Sequence, residues 1–273
     1  MNQHTLKKTY FFEGKGLHTG TYSHMKIMPA DAGIGIAFLR NGVLIPALAE
    51  NVTNTARSTT ISFGGQDAVT IEHIMSTFMG LGIDNVVVEL DNIEVPILDG
   101  SARLYVQAIM ADGLEDQGVP RKFIDVPQVV DLKDERSGSW VRIEPASAPS
   151  AQIIVDFNSP VLGVQEAFWN LDTDYAREIA PCRTFCFYRE VEPMLKAGLI
   201  KGGDLDNALV VTDDGYMGNP QLHFADECGR HKMLDLLGDM RLAGGYLNAR
   251  ISAYKPGHTI NTQAAKALRE LLK

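Results

Sequence analysis

DGLEDQGVPR, Asp112 to Arg121, is the stretch on which the architecture turns. It is rich in Gly, Pro and acidic residues, has no apolar periodicity, and reads as a linker. Length alone, 273 residues against about 150 per domain, allows one large domain or two small ones. The linker favours two, 1–118 and 119–273. On either side, short β-rich runs bounded by Gly, Asp, Asn and Pro read as strands: Arg57 to Phe63, Asn85 to Leu90, Trp140 to Ile143 and Ile153 to Phe157. Helical patterns fall at Ile71 to Leu81 and Ser101 to Met110 before the linker, and at Val191 to Leu199, Cys228 to Ala243 and Asn261 to Leu272 after it. Strand runs punctuated by helices fit α+β better than strict βαβ alternation. Each half holds several strands and two main helices, the pattern of a duplicated fold, although no internal sequence identity marks it.

Composition narrows the function. Apolar residues make up 45% of the chain and charged residues 22%, enough for a substantial core. A formal net charge of −9 makes nucleic acid a poor default partner. Three cysteines, Cys182, Cys186 and Cys228, are no disulfide framework, and Cys182 and Cys186 on one strand would lie about 13 Å apart. The amino terminus lacks a signal-like apolar segment, and no apolar run reaches the roughly 18 residues of a membrane span. The expectation is a soluble cytoplasmic protein.

Three segments could carry chemistry. In CGRHKMLDLLGD, Cys228 to Asp239, His231 and Asp235 stand one helical turn apart, about 6 Å between Cβ atoms, close enough to share a metal ion. The plainer reading is a surface His–Asp pair. In TIEHIMS, Thr70 to Ser76, Glu72 and His73 differ by about 100° in direction, so one can ligate a metal while the other reaches its water. The plainer reading is a first-turn Glu beside a packed His. In AYKPGHTIN, Ala253 to Asn261, a strand enters a Pro-Gly turn and reaches His258 before a helix capped by Thr259 or Asn261. Asp239, one turn beyond Asp235, could hold His258 protonated as a general acid.

EHIMS (Glu72 to Ser76), RHKMLDLLGD (Arg230 to Asp239) and AYKPGH (Ala253 to His258) together resemble the UDP-3-O-acyl-N-acetylglucosamine deacetylases of bacterial lipid A biosynthesis. The resemblance covers nearly the whole chain and includes GKGLHTG (Gly14 to Gly20), VPILDGSA (Val95 to Ala102), CRTFCF (Cys182 to Phe187), KGGDLDNALVV (Lys201 to Val211) and FADE (Phe224 to Glu227). It implies that His73, His231 and Asp235 bind Zn2+ and leave a position for water. Glu72 matches the general base, His258 the general acid and Asp239 the residue that charges it. Thr184 matches a hydroxyl that steadies the oxyanion. An amine anion is a very poor leaving group near neutral pH, so the nitrogen must be protonated before the C–N bond breaks.

The resemblance further implies a UDP-sugar substrate with a hydroxyacyl chain, hydrolysed to acetate and the free 2-amino sugar nucleotide by a monomer. Lys232 and Lys255 match a basic patch for the diphosphate. A further lysine common in the family falls here on Ser139, with Arg142 or Arg183 as candidate substitutes. Phe185 matches an aromatic residue that packs on the nucleotide side. A β-α-β insert in the second domain is expected to form the acyl passage, with FCFYREVEPMLKAGL read as strand, turn and amphipathic helix and with Val191, Met194, Leu195 and Leu199 on one side. The implied architecture is two similar domains, each a sheet layered with helices, packed helix to helix with the site at the junction. Lys15 and the Arg103-Leu104 pair depart from the family's usual residues away from this chemistry. Some members are joined to a downstream hydroxyacyl-ACP dehydratase, and the free-standing and fused forms both stay open.

Three other readings remain at this level. The same residues suit a different metal hydrolase such as a peptidase. Two histidines and a carboxylate also form the facial triad of non-haem iron enzymes, so Fe2+ stands beside Zn2+. A nucleotide-sugar binding protein without catalysis would need neither Glu72 nor His258.

Overall fold

The computed structural model describes residues 1–196 and 201–272. It is an α+β structure whose two largest sheets come from opposite sides of the Asp112 to Arg121 stretch. In spatial order the first runs Tyr10–Lys15, Tyr22–Pro29, Val86–Leu90, Ile36–Arg40 and Val43–Pro46. Neighbours pair antiparallel, antiparallel, parallel and antiparallel. The second runs Val130–Lys133, Trp140–Pro145, Tyr246–Tyr254, Ser150–Asp156 and Val164–Asn170, with the same succession of directions. Phe123–Asp125 adds a parallel strand along Tyr246–Tyr254. In both sheets the last strand in sequence lies in the middle.

Among the described residues six α-helices accompany these sheets: α1 Glu72–Leu81, α2 Arg103–Asp112, α3 Tyr175–Glu178, α4 Tyr188–Lys196, α5 Glu227–Arg241 and α6 His258–Leu271. Helix α1 is buried from Glu72 to Met79, which is why its apolar residues show no one-sided pattern. It stops at Gly82, whose φ of 77° is left-handed and lets the Ile83 N–H return to the Phe78 carbonyl. Helices α1 and α5 pack against each other, and α5 and α6 lie on the second sheet. At the crossing, a Cβ on Gly238 would overlap the backbone carbonyl of Glu72. A glycine inside a helix costs about 0.5–1 kcal/mol relative to alanine; here it permits the contact that sets Glu72 and His73 beside α5.

Four sequence expectations change. The Asp112 to Arg121 stretch is not irregular: Leu114–Pro120 is a strand paired antiparallel with Asn2–Leu6. Its side chains are mostly exposed, so it leaves no apolar signature. The Arg57 to Phe63 strand shrinks to Thr60–Phe63, because Arg57 takes a left-handed φ of 71°. No turn separates Phe185–Phe187 from α4, which follows directly; that strand pairs parallel with Leu209–Val211, closing a strand–helix–strand unit. Cys182 precedes the strand instead of lying on it, and all three cysteines are free. Leu199 and the side chains of Met194 and Leu195 lie outside the described residues. Among the described residues no helix is long and apolar enough to cross a membrane.

Candidate active site

Helix α1 supplies His73 and α5 supplies His231 and Asp235, three buried side chains whose ligand atoms all lie within 4.8 Å of one another. His231 Nδ1 is 3.0 Å from the Cys182 carbonyl oxygen, a bond that only an N–H can make, so in the neutral ring Nε2 carries a lone pair. That Nε2 stands 3.4 Å from Asp235 Oδ1, and His73 Nε2 stands 3.9 Å from the same oxygen. Asp235 Oδ1 is buried without a hydrogen-bond donor. Lone pairs converging on an orphaned carboxylate oxygen fit a divalent cation, and this is the donor set of a catalytic metal site.

The protonation states agree. Burial, reinforced by His231, pushes His73 down to about 3. Burial likewise holds His231 below the usual imidazole range, against the pull of Asp235. Burial alone would raise Asp235, but the Lys232 ammonium, 2.8 Å from Oδ2, and the neighbouring histidines hold it well below the usual carboxylate range. Neutral imidazoles and an ionised carboxylate are the forms that bind metal.

Beside this cluster lie Glu72 and His258. Glu72, at the start of α1, is buried; its Oε2 accepts the Thr59 N–H at 2.9 Å. Burial, with smaller contributions from Asp235 and Asp239, pushes it up to about 7 against the opposing pull of His258 and the Thr59 N–H. A carboxylate in that range takes protons at neutral pH. His258 behaves oppositely. Its Nδ1 is 3.0 Å from Asp239 Oδ2; burial lowers it, but the Asp239 charge and hydrogen bond outweigh burial and lift it to about 9. Asp239 is fully buried and also accepts from Thr59 Oγ1 at 2.6 Å and Asn261 Nδ2 at 3.0 Å. Thr59 thus touches both groups, its N–H on Glu72 and its hydroxyl on Asp239.

The site opens into a cavity of about 590 Å³. Glu72, His73, His231, Asp235 and His258 line it, as do Thr184, Phe185, Val191, Lys232 and Lys255. The Lys232 ammonium sits 5.3 Å above the Phe185 ring, and Lys255 is 3.8 Å from Asp156. Asp239 stands behind His258 and does not line the cavity. Neither arginine offered for the missing lysine reaches it: Arg183 is bound to the buried Glu227 and Arg142 to Asp131.

A family model described as UDP-3-O-acyl N-acetylglycosamine deacetylase matches residues 3–270. The chain belongs to this family. A UDP-3-O-acyl-N-acetylglucosamine deacetylase of Trichormus variabilis is 40% identical over 281 residues, covering 99% of each chain. One from Nostoc is 39% identical over 279 residues with the same coverage. A bifunctional enzyme LpxC/FabZ of Bacteroides thetaiotaomicron is 36% identical over 301 residues, which span 100% of this chain and 65% of that protein. With its metal-ligand cluster, this member of the deacetylase family is a metal-dependent hydrolase.

Several residues of this deacetylase-family site escaped the sequence reading. Arg57 and His18 line the cavity from the N-terminal half, although GKGLHTG had marked the neighbourhood of His18. Asn261 is no helix cap: α6 begins at His258 itself after Gly257, and the Asn261 amide goes to Asp239. Nor does the Thr259 hydroxyl cap the helix; it meets Thr55 at 2.8 Å. Thr59 lies thirteen residues before Glu72 and outside any helix, so only the fold unites them.

Proposed function

We propose that the chain hydrolyses the 2-acetamido group of a UDP-3-O-(3-hydroxyacyl)-N-acetylglucosamine, giving acetate and the free 2-amino sugar nucleotide, the committed step of lipid A biosynthesis in a Gram-negative bacterium. The observation that carries this reading is the orphaned Asp235 Oδ1 facing two imidazole nitrogens, with Glu72 and His258 on the same cavity wall. The deacetylase relatives supply the substrate class.

A divalent metal held by His73, His231 and Asp235 would supply Lewis acidity toward water and the amide carbonyl. We read that metal as Zn2+; Fe2+ suits the same donors. Glu72, anchored through Oε2, receives the proton of the attacking water at Oε1. The Thr184 hydroxyl, on the cavity wall, donates to the oxygen that gains charge as the amide carbon becomes tetrahedral. His258, its Nδ1 engaged by Asp239, gives a proton from Nε2 to the departing nitrogen. Lys232 and Lys255 oppose the diphosphate charge in a chain of net −9. Phe185 packs on the nucleotide side. Val191, on the cavity wall, borders the passage for the acyl chain. Two similar domains, 1–118 and 119–273, with 182–211 as the insert of the second, meet at α1 and α5; the matching strand order of the two sheets supports this duplication. The enzyme acts as a cytoplasmic monomer.

The test is acetate release from the acylated UDP-sugar, with and without chelator, for wild type and Glu72→Ala. Chelation is expected to abolish turnover, and Glu72→Ala to keep its metal while losing about 10²–10⁴ in kcat. Full activity in Glu72→Ala would sink the mechanism.

A further inference from the structure

Glu94 is a further fully buried carboxylate near the cavity, and the chemistry above does not use it. Among the described residues no cation pairs with it. Four donors satisfy it instead. Oε1 accepts the His18 N–H at 3.0 Å and the Thr70 hydroxyl at 2.7 Å; Oε2 accepts the Thr19 N–H at 2.8 Å and the Thr19 hydroxyl at 2.7 Å. The fold makes room for it, since a Cβ on Gly16 would overlap its carboxyl group.

These donors lie on or next to two segments that line one cavity. Leu17 and His18 bring the loop of residues 16–20 to the lining, and the Gly202 N–H reaches the Leu17 carbonyl at 3.2 Å, tying that loop to the chain that follows α4. Thr70 stands just before α1, which carries Glu72 and His73. Its φ of 59° is left-handed, a conformation that β-branched residues rarely adopt. The bond to Glu94 holds Thr70 there, and Val69 is bridged to Glu94 along the backbone. The direction in which α1 leaves Thr70 determines where His73 and Glu72 point.

We infer that Glu94 is a positioning residue that sets the His18 loop and the start of α1 from one carboxylate, so that the metal cluster and the substrate wall are held in a fixed relation. Thr70 is the arm toward the metal and Thr19 the arm toward the substrate. In Glu94→Gln the amide NH2 would face hydroxyl and N–H donors, and at least one arm would lose its acceptor.

The experiment measures metal affinity by chelator competition, thermal midpoint, and kcat and KM on the acylated UDP-sugar. The variants are Glu94→Gln, Thr70→Val, Thr70→Ser and Thr19→Val. Thr70→Val is expected to weaken metal binding about tenfold or more, the usual cost of losing a partner behind the ligands, with KM little changed. Thr70→Ser keeps the hydroxyl and restores wild-type affinity. Thr19→Val should raise KM at unchanged metal affinity, and Glu94→Gln should show both losses. Folded Thr70→Val with wild-type metal affinity overturns the proposal, as do identical losses in Thr70→Val and Thr19→Val, which mean general loosening. If Glu94→Gln does not fold, the two threonine variants decide. The KM arm rests on the deacetylase reading; if wild type ignores that substrate, that reading fails while the metal arm still tests Glu94.

Discussion

Helix α5 carries two aspartates one turn apart, each beside a histidine, and the two pairs hold opposite protonation states. His231 and Asp235 approach to 3.4 Å, yet His231 stays below the usual imidazole range, chiefly through burial. His258 and Asp239 approach to 3.0 Å, and His258 rises to about 9. Lys232 adds to the effect of burial. It donates to Asp235 at 2.8 Å, so that carboxylate already has a cation. Asp239 receives neutral donors from Thr59 and Asn261, and its positive partner is His258. A buried carboxylate with its own lysine leaves the histidine neutral for a metal, whereas one with only neutral donors charges it for proton transfer.

The contrast can be broken most severely at Asp235. Asp235→Ala removes a proposed ligand and leaves Lys232 without its carboxylate. Metal retention after dialysis and acetate release should fall by more than about a hundredfold, beyond the loss expected for residues merely behind the ligands. Wild-type metal content would remove Asp235 from the ligand set.

Asp239→Asn comes next, with an expected loss of about 10²–10⁴ in kcat. The alkaline limb of kcat/KM should move down from near 9 toward 6.5, since the charge that lifts His258 is gone. Stability follows the same sign. A histidine raised in the folded state contributes stabilisation that is complete below about 6.5 and is lost as pH rises through about 9. The metal-free wild type should therefore lose thermal midpoint across that window, and Asp239→Asn should flatten the curve. An unmoved limb and an unchanged slope would separate Asp239 from His258.

Gly238→Ala tests the helix crossing that brings both pairs within reach of α1. Overlap with the Glu72 carbonyl should cost about 1–3 kcal/mol, read by denaturant unfolding. Unchanged stability would mean that the crossing is not tight. The smallest effect belongs to Asn261→Ala. One hydrogen bond to Asp239 is worth about 0.5–1.5 kcal/mol, and losing a neutral donor leaves Asp239 leaning harder on His258. The alkaline limb should move slightly upward, opposite to Asp239→Asn; a downward move would contradict this division of roles.

Much of this was legible before folding. The four-residue spacing of His231 and Asp235 and the Glu72-His73 neighbours allowed a metal site with a base beside it, since helical periodicity is local, but only the resemblance carried by the surrounding motifs favoured it over the plainer pairs. The mixed strand and helix pattern announced α+β. The strand at Leu114–Pro120 was hidden because it is mostly exposed and its pairing partner, Asn2–Leu6, lies at the other end of the half. Thr59 and Asn261 were hidden because a hydroxyl or amide has no signature until a buried acceptor stands opposite. Arg57 looked like the start of a strand, and its left-handed backbone took it to the cavity instead.

By itself the sequence determined which chemical groups are present and which of them share a helical turn, because propensity and periodicity act over a few residues. The tertiary structure alone decided their state. Whether a histidine binds metal or carries a proton depends on burial and on what stands opposite each carboxylate: Lys232, one turn away on the same helix, at Asp235, but Thr59 and Asn261, brought in by the fold, at Asp239, with α1 packed against Gly238. Electrostatic energies in a desolvated interior follow distances in space, and the chain order does not encode those distances.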